Sequence, residues 1–524
     1  MGEGVAYLTP EAKARLDIDA MLEAAGWAVQ DADSANLSAA QGVAVREFIL
    51  QPHGRADYLL FVDGKPVGVL EAKQAGTILS NVEPQRDDYA VGMPDYLEVP
   101  IEPLPFTYMS TGTETRFKNG IDPGARTRDI YAVHRPETLA GWIDDHFENR
   151  GTLRHRLQHL PELDTDGLWS AQERAIRNLE DSLADNRPRA LIQMATGSGK
   201  TYTAANIAYR LVRYGGAKRV LFLVDRANLG RQTLNEFQTF TVPNDGRKFT
   251  ELYNVQHMSK NAIDPVARVT ISTIQRLYST LKGEQQLDEE VDEESAYDSL
   301  PDQPVEVAYN PKVPPETFDV VIVDECHRSI FGLWRQVLDY FDTFTIGLTA
   351  TPNKQALGFF NQNLVMEYGH AEAVADQVNV DFDVYRIKTE ISEGGSKVDA
   401  GLVVGFRDRQ TRKRRWEKLD DEVEYGKDAL DRAVVAEDQI RTFIETFRNR
   451  LFTEIFPGRT DVPKTLIFAM DDSHADDIIR IVREEFGKGD EFATKITYKT
   501  TGRKPDELLR SFRNTYFPRI AVTV

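Results

Sequence analysis

The stretch Gln193-Met194-Ala195-Thr196-Gly197-Ser198-Gly199-Lys200-Thr201 follows an apolar run, Ala190 to Ile192, and precedes an Ala/Ile/Leu pattern of helical period. A strand that ends in a glycine loop and restarts as a helix turns several backbone N–H groups inward, and the helix N-terminus adds positive dipole to that nest. Such a loop cradles a polyphosphate. The spacing sets Gly197, Ser198 and Gly199 around the phosphates, Lys200 toward the β- and γ-phosphates of ATP, and the Thr201 hydroxyl on the Mg²⁺ that accompanies it. Met194 occupies the place where such loops usually carry their first glycine.

A chain of 524 residues exceeds one hydrophobic core and predicts about three domains. With 41% hydrophobic and 28% charged residues, it has the composition of a soluble globular protein. No run reaches the length of a membrane span and the start lacks a basic-then-apolar leader, so a cytoplasmic location is expected, with no membrane partner. The single cysteine, Cys326, excludes an internal disulfide and a cysteine metal cluster. A net charge of -20 argues against a protein that coats DNA, so DNA must lie in local basic channels or be held with partner subunits.

Residues 1–155 read as a first domain. Thr9-Pro10-Glu11 predicts a helix start, with Leu16, Met21, Leu22 and Ala25 as its apolar stripe; Glu11 serves there as a first-turn acid. Tyr58 to Val62 and Pro66 to Leu70 flank Asp63-Gly64-Lys65, a hairpin composition. Asp57 heads the first strand, and Glu71 and Lys73 sit two apart on the second, on one face. Two carboxylates so placed share a Mg²⁺ that activates water, and the lysine supports the attacking water or the developing phosphate charge.

This D…E-x-K arrangement resembles that of the PD-(D/E)XK nucleases, although Ala56 stands where proline is usual. Gln85-Arg86-Asp87-Asp88-Tyr89 resembles the Q-x-x-x-Y element of their RecB-like branch, with Gln85 and Tyr89 on one helix face.

Residues 156–355 read as a motor. Ser170 and Glu173 have capping-box spacing, and Gln172 resembles the helicase Q motif, whose amide reads adenine. The run from Arg219 to Val224 leads into Asp225-Arg226-Ala227, and Val269 to Thr273 leads into Gln275 and Arg276. These resemble the helicase elements that hold a DNA backbone, which makes Arg226, Thr273, Gln275 and Arg276 the expected DNA contacts. Gly283 to Asp302, dominated by Glu and Asp, predicts an exposed, disordered insertion. Phe318 to Val323 is a buried parallel-type strand ending in Asp324-Glu325-Cys326-His327. Asp324 holds Mg²⁺ through its water shell, Glu325 deprotonates the water that attacks the γ-phosphate, and His327 senses the nucleotide. Gly347 to Pro352 resembles the element that couples hydrolysis to movement. With the phosphate loop, these resemble superfamily 2 helicases and translocases.

Residues 356–427 read as a connector carrying a basic cluster, Arg407 to Trp416, either a duplex contact or a solvated hairpin. Residues 428–524 alternate helix and strand as a second RecA-like lobe does, stopping on a strand before the arginine-finger elements, which predicts the front part of a longer polypeptide. The expected fold is therefore α/β: an N-terminal PD-(D/E)XK nuclease domain followed by RecA-like helicase lobes of parallel sheet flanked by helices, the second incomplete.

A RecB-like nuclease ahead of a superfamily 2 motor resembles the R (restriction and motor) subunit of type I restriction-modification enzymes. The resemblance implies a subunit that joins methyltransferase and specificity subunits, translocates double-stranded DNA with ATP, and cleaves it. A stand-alone ATP-dependent helicase-nuclease and a non-catalytic DNA-binding assembly subunit remain open at this level.

Overall fold

The computed structural model describes residues 10–50, 54–79, 93–94, 96–293, 295, 307–329, 334–387, 396–398, 403–407, 414–418, 423–425, 437–497 and 505–524. The chain divides into two compact units, Met1–Asp381 and Phe382–Val524.

The first unit holds two sheets. Strands β1 (Ala28–Asp31), β2 (Gly42–Leu50), β3 (Gly54–Val62), β4 (Lys65–Ala72), β5 (Phe106–Ser110), β6 (Thr115–Asn119) and β7 (Arg128–Ile130) form a mixed sheet in sequence order. The pairs β1–β2 and β4–β5 are parallel and the others antiparallel. Asp63 (φ 49°) and Gly64 (φ 77°) make the two-residue turn between β3 and β4, where positive φ at both positions matches the right-handed twist of the strands. Helix Pro10–Ala24 and the residue after it bury Ala14, Ile18, Leu22 and Ala25. Leu16, expected on that stripe, is 55% exposed, because the i, i+4 row from Ala14 through Ile18 to Leu22 faces the sheet and Leu16 falls off it.

The second sheet is wholly parallel, in the order β10-β11-β9-β12-β13-β8-β14. Its strands are β8 (Arg189–Met194), β9 (Val220–Val224), β10 (Val255–His257), β11 (Val269–Thr273), β12 (Val320–Val323), β13 (Phe344–Thr349) and β14 (Leu364–Tyr368). Continuous apolar runs suit burial on both faces. In β9, Val220, Phe222 and Val224 enter one core with helices Ser170–Ala184, Lys200–Arg213 and Ala227–Thr239. Leu221 and Leu223 enter the other with helices Ile274–Leu281 and Arg335–Asp339. Each such side chain removed from water contributes roughly 1.5–3 kcal/mol before the entropy of ordering it.

Two expected boundaries move. β14 pairs with β8, so the motor sheet runs past residue 355 into the stretch read as connector; five residues are too few to announce a long-range parallel pairing. The first domain and the motor also share one compact unit. At their junction Asp342 accepts from Arg128 Nε at 2.7 Å and Nη2 at 2.8 Å and lies 3.0 Å from His134 Nε2. His134 Nδ1 in turn lies 2.9 Å from the hydroxyl of Tyr108 on β5. Glu316 adds contacts from Arg135 N and Thr138 Oγ1, each at 3.0 Å.

The second unit contains a parallel sheet of β19 (Thr465–Phe468), β21 (Ile520–Thr523) and β20 (Ala493–Lys495), with β21 central. Helices Glu437–Arg450 and Asp472–Phe486 bury Ile440, Ile444, Ile478, Ile481 and Val482 with Ile520 and Val522. Two small antiparallel pairs precede it, β15 (Ser396–Val398) with β18 (Val423–Tyr425) and β16 (Val403–Arg407) with β17 (Arg414–Lys418). The basic cluster therefore opens and closes on paired strands, its centre lying outside the described residues. Phe382 to Ile387 forms no ladder, and Phe382, Val384 and Tyr385 are exposed.

Candidate motor and nuclease sites

β8 ends at Met194 and helix Lys200–Arg213 begins six residues later, as the phosphate loop requires. Gly197 (φ 83°) and Gly199 (φ 81°) are both left-handed, a conformation that costs other residues a steric clash. A Cβ on Gly199 would also lie 2.4 Å from Gln172 Nε2. Ser198 is fully buried and its hydroxyl donates to Ala195 O at 2.6 Å, pinning the loop. Thr201 occupies the first turn, partly exposed.

Gln172 lies at the start of helix Ser170–Ala184. Its Oε1 accepts from Trp169 N at 3.0 Å and closes the helix start, a role the sequence spacing assigned to Ser170 and Glu173. The Gln172 carbonyl oxygen thus takes part in the cap, and its amide nitrogen faces Gly199.

Lys200 Nζ donates to Glu325 Oε1 at 2.9 Å, which joins the phosphate loop to the end of β12. Asp324 accepts from the Glu325 N–H at 3.0 Å, and its own N–H donates to Leu223 O on β9. Burial, and then the Glu325 charge, push the Asp324 carboxyl up to about 6, against the pull of Lys200. Glu325 itself sits at φ 47°, a strained position for a non-glycine residue that sets its side chain toward the loop. His327 Nδ1 lies 2.9 Å from Thr349 Oγ1 and 3.4 Å from Glu325 Oε2, and burial lowers its pKa, favouring the neutral ring. The result is a continuous polar chain, Lys200–Glu325–His327–Thr349, spanning the ends of β8, β12 and β13. Cys326 is buried and its thiol is pushed up by burial, consistent with packing.

Sequence reading missed Asn379. Its Nδ2 donates to Thr196 O at 2.9 Å, and its Oδ1 is 3.0 Å from the position of a Cβ on Gly197. A lone polar residue after a short helix carries no motif that would mark it.

The expected DNA contacts are not presented to solvent together. Arg226 caps helix Ala227–Thr239, with Nε 3.7 Å from Asp225 Oδ2. Thr273, Gln275 and Arg276 are each no more than 3% exposed. Arg276 Nη2 donates to Asp292 at 2.8 Å and Nε at 3.1 Å, while the Thr273 hydroxyl bonds the same carboxylate. Asp292 belongs to helix Glu289–Glu293, within the insertion expected to be exposed and disordered. Ion pairs order this part of it despite the meagre apolar content.

In the first sheet, Asp57, Glu71 and Lys73 come together. Asp57 Oδ2 accepts the N–H of Ala72 at 2.9 Å, which ties the first half of β3 to the end of β4. Lys73 Nζ meets Glu71 Oε1 at 2.5 Å, whereas Glu71 Oε2 is buried without a hydrogen-bond partner. A buried, orphaned carboxylate oxygen beside a second carboxylate suits a divalent cation. Arg15 and Glu47, which no motif marks, complete the cluster. Arg15 Nη2 is 2.5 Å from Asp57 Oδ1, Arg15 Nη1 is 2.9 Å from Glu47 Oε1, and Glu47 sits at φ 52°. Gln85 and Tyr89 lie outside the described residues, as does the Glu11 side chain. Among the described residues, no group of three or more His, Cys, Asp or Glu side chains is placed to hold a metal ion.

The model of a family described as the res subunit of type III restriction enzymes matches residues 167–354, which carry strands β8 to β13 of the parallel sheet. The endonuclease subunit of the type I restriction enzyme EcoKI of Escherichia coli strain K12 is 26% identical over 98% of this chain. The chain is thus similar in sequence to type I restriction enzyme endonuclease subunits. The corresponding EcoAI subunit of Escherichia coli is 29% identical over 62% of the chain. The chain spans about half the length of these relatives or less, 47% of the first and 36% of the second. A solved fragment of an HsdR subunit ascribed to a type I restriction enzyme of Vibrio vulnificus YJ016 aligns over 98% of this chain and 83% of its own, at 20% identity and a TM-score of 0.41. At that score the fold rests on the strands described above.

Proposed function

We propose that this chain is the motor and nuclease part of a type I restriction enzyme, using ATP to translocate double-stranded DNA and cutting it in a separate pocket. The observation that carries the reading is the presence, in one compact unit, of the Lys200–Glu325 pair and the Asp57–Glu71–Lys73 cluster. In the motor pocket the β- and γ-phosphates of ATP take Lys200 from Glu325, because three anionic oxygens outcompete one carboxylate for the ammonium. Glu325, released, accepts a proton from the water whose oxygen attacks the γ-phosphorus, and ADP leaves with the bridging oxygen. His327, bonded to Thr349, carries the change at Glu325 to β13. Thr201 and Asp324 would hold Mg²⁺, which would supply charge neutralisation.

In the other pocket Asp57 and Glu71 would hold Mg²⁺, which supplies an activated water. Lys73 stabilises charge on the scissile phosphate, and Arg15 keeps Asp57 oriented. Recognition is assigned to partner methyltransferase and specificity subunits, with the complex acting in the cytoplasm on unmethylated foreign DNA. Among the described residues, no helix is long and apolar enough to cross a membrane.

Purification of the native complex tests this reading. DNA-stimulated ATP hydrolysis should require co-purifying methyltransferase and specificity subunits; full activity of the chain without them would instead favour a stand-alone helicase-nuclease.

A further inference from the structure

The face on which the motor is expected to grip a DNA backbone is covered by the chain's own acidic segment. Asp292 takes the Thr273 hydroxyl and two guanidinium nitrogens of Arg276, at 3.1 and 2.8 Å. One residue on, Glu293 accepts from Arg231 Nη1 at 2.9 Å and from the backbone N–H of Asn228 at 3.2 Å. Asn228 lies in the first turn of helix Ala227–Thr239. The donors engaged are thus two arginine forks, a threonine hydroxyl and a helix N-terminal N–H. Proteins use the same set to hold phosphodiester oxygens without reading bases.

The attachment of this segment is polar. Val291, the residue before the two acids, is 38% exposed, so it does not pin the helix into a core. A helix of five residues does not persist by its own hydrogen bonds, and ion pairs of this kind weaken when another anion competes for the arginines.

We propose that Asp292 and Glu293 stand in for backbone phosphates on this face and must leave before the motor holds DNA, and that Arg231, which no motif marks, is part of the grip they vacate. The proposal rests on the DNA-translocating reading above. An in-chain competitor lowers apparent affinity by the fraction of time the face is open, and it leaves turnover unchanged once DNA saturates the protein.

Anisotropy of a fluorescein-labelled duplex, titrated into the full chain at fixed salt, tests it. Asp292→Asn with Glu293→Gln should tighten binding about ten-fold and lower the DNA concentration for half-maximal ATPase to match, with the saturated rate unaltered. Glu293→Gln alone, at a partly exposed site that folding tolerates, should shift both in the same direction by less. Neutralising Asp490 and Glu491, exposed acids of the second unit, should do nothing, which separates local competition from a change in net charge. Arg231→Gln in the double variant should weaken binding. If Arg231→Gln weakens binding but neither acidic variant tightens it, the stand-in proposal is overturned alone; if Arg226→Gln and Arg231→Gln both leave binding unchanged, the DNA reading of this face fails with it.

Discussion

The Lys200 ammonium lies 2.9 Å from Glu325 Oε1, so the residue expected to hold phosphate and the residue expected to activate water neutralise one another. On the function proposed above, the nucleotide phosphates would have to separate this pair before either residue acts.

Lys200→Ala should remove ATP hydrolysis by at least about 100-fold, since it deletes a charge that acts where the transition state gathers negative charge. Steady-state phosphate release measures it, and cleavage that depends on translocation should vanish in parallel.

Asp57→Ala and Lys73→Ala should each abolish DNA cutting and leave DNA-stimulated ATPase within about two-fold of the parent, a difference under 0.5 kcal/mol in activation free energy. Gel assays of plasmid cleavage beside ATPase rates measure both. Equal loss of the two activities in the Asp57 variant would contradict separate pockets.

Asp324 gives a pH signature. Its folded pKa, raised to about 6, lies above the ordinary carboxylate value, so its contribution to stability is present at low pH and lost as pH rises through about 6. Asp324→Asn should therefore stabilise the nucleotide-free protein at pH 8 by about 1–2 kcal/mol, allowing for the residue's partial solvent contact, and should abolish ATPase. Thermal denaturation at pH 5 and pH 8 tests the sign: the gap between the proteins should open at the higher pH.

Arg128→Met should destabilise the first unit by about 3–5 kcal/mol, because it strands the buried Asp342 carboxylate with His134 alone. Against the effect of burial, Arg128 and His134 hold Asp342 well below the usual carboxylate range. Its contribution is thus present above the unfolded pKa and lost as pH falls. The variant should lose less stability than the parent as pH falls from about 5 to about 2, as read by denaturant melts.

The phosphate loop and the acidic end of β12 were legible because phosphate chemistry fixes a contiguous run of residues on a strand–loop–helix. Asp57, Glu71 and Lys73 were legible for a related reason: a two-residue turn sets the register of β3 against β4. Arg15, Glu47 and Asn379 were not, since each reaches its partner from a distant element and nothing local records the approach. Within the acidic stretch, composition misled at Asp292 and Glu293 for the same reason. Acidic residues read alone repel one another, and only the fold places Arg231 and Arg276 opposite them. Gln172 shows the converse, a motif position whose side chain closes a helix start.

The Arg128–Asp342–His134–Tyr108 network fastens the sheet bearing Asp57 and Glu71 to the strand that ends in Thr349. On the function proposed above, this fastening would keep the two pockets at a fixed interval, so that the path of the DNA, rather than one pocket closing on the other, would set the moment of scission.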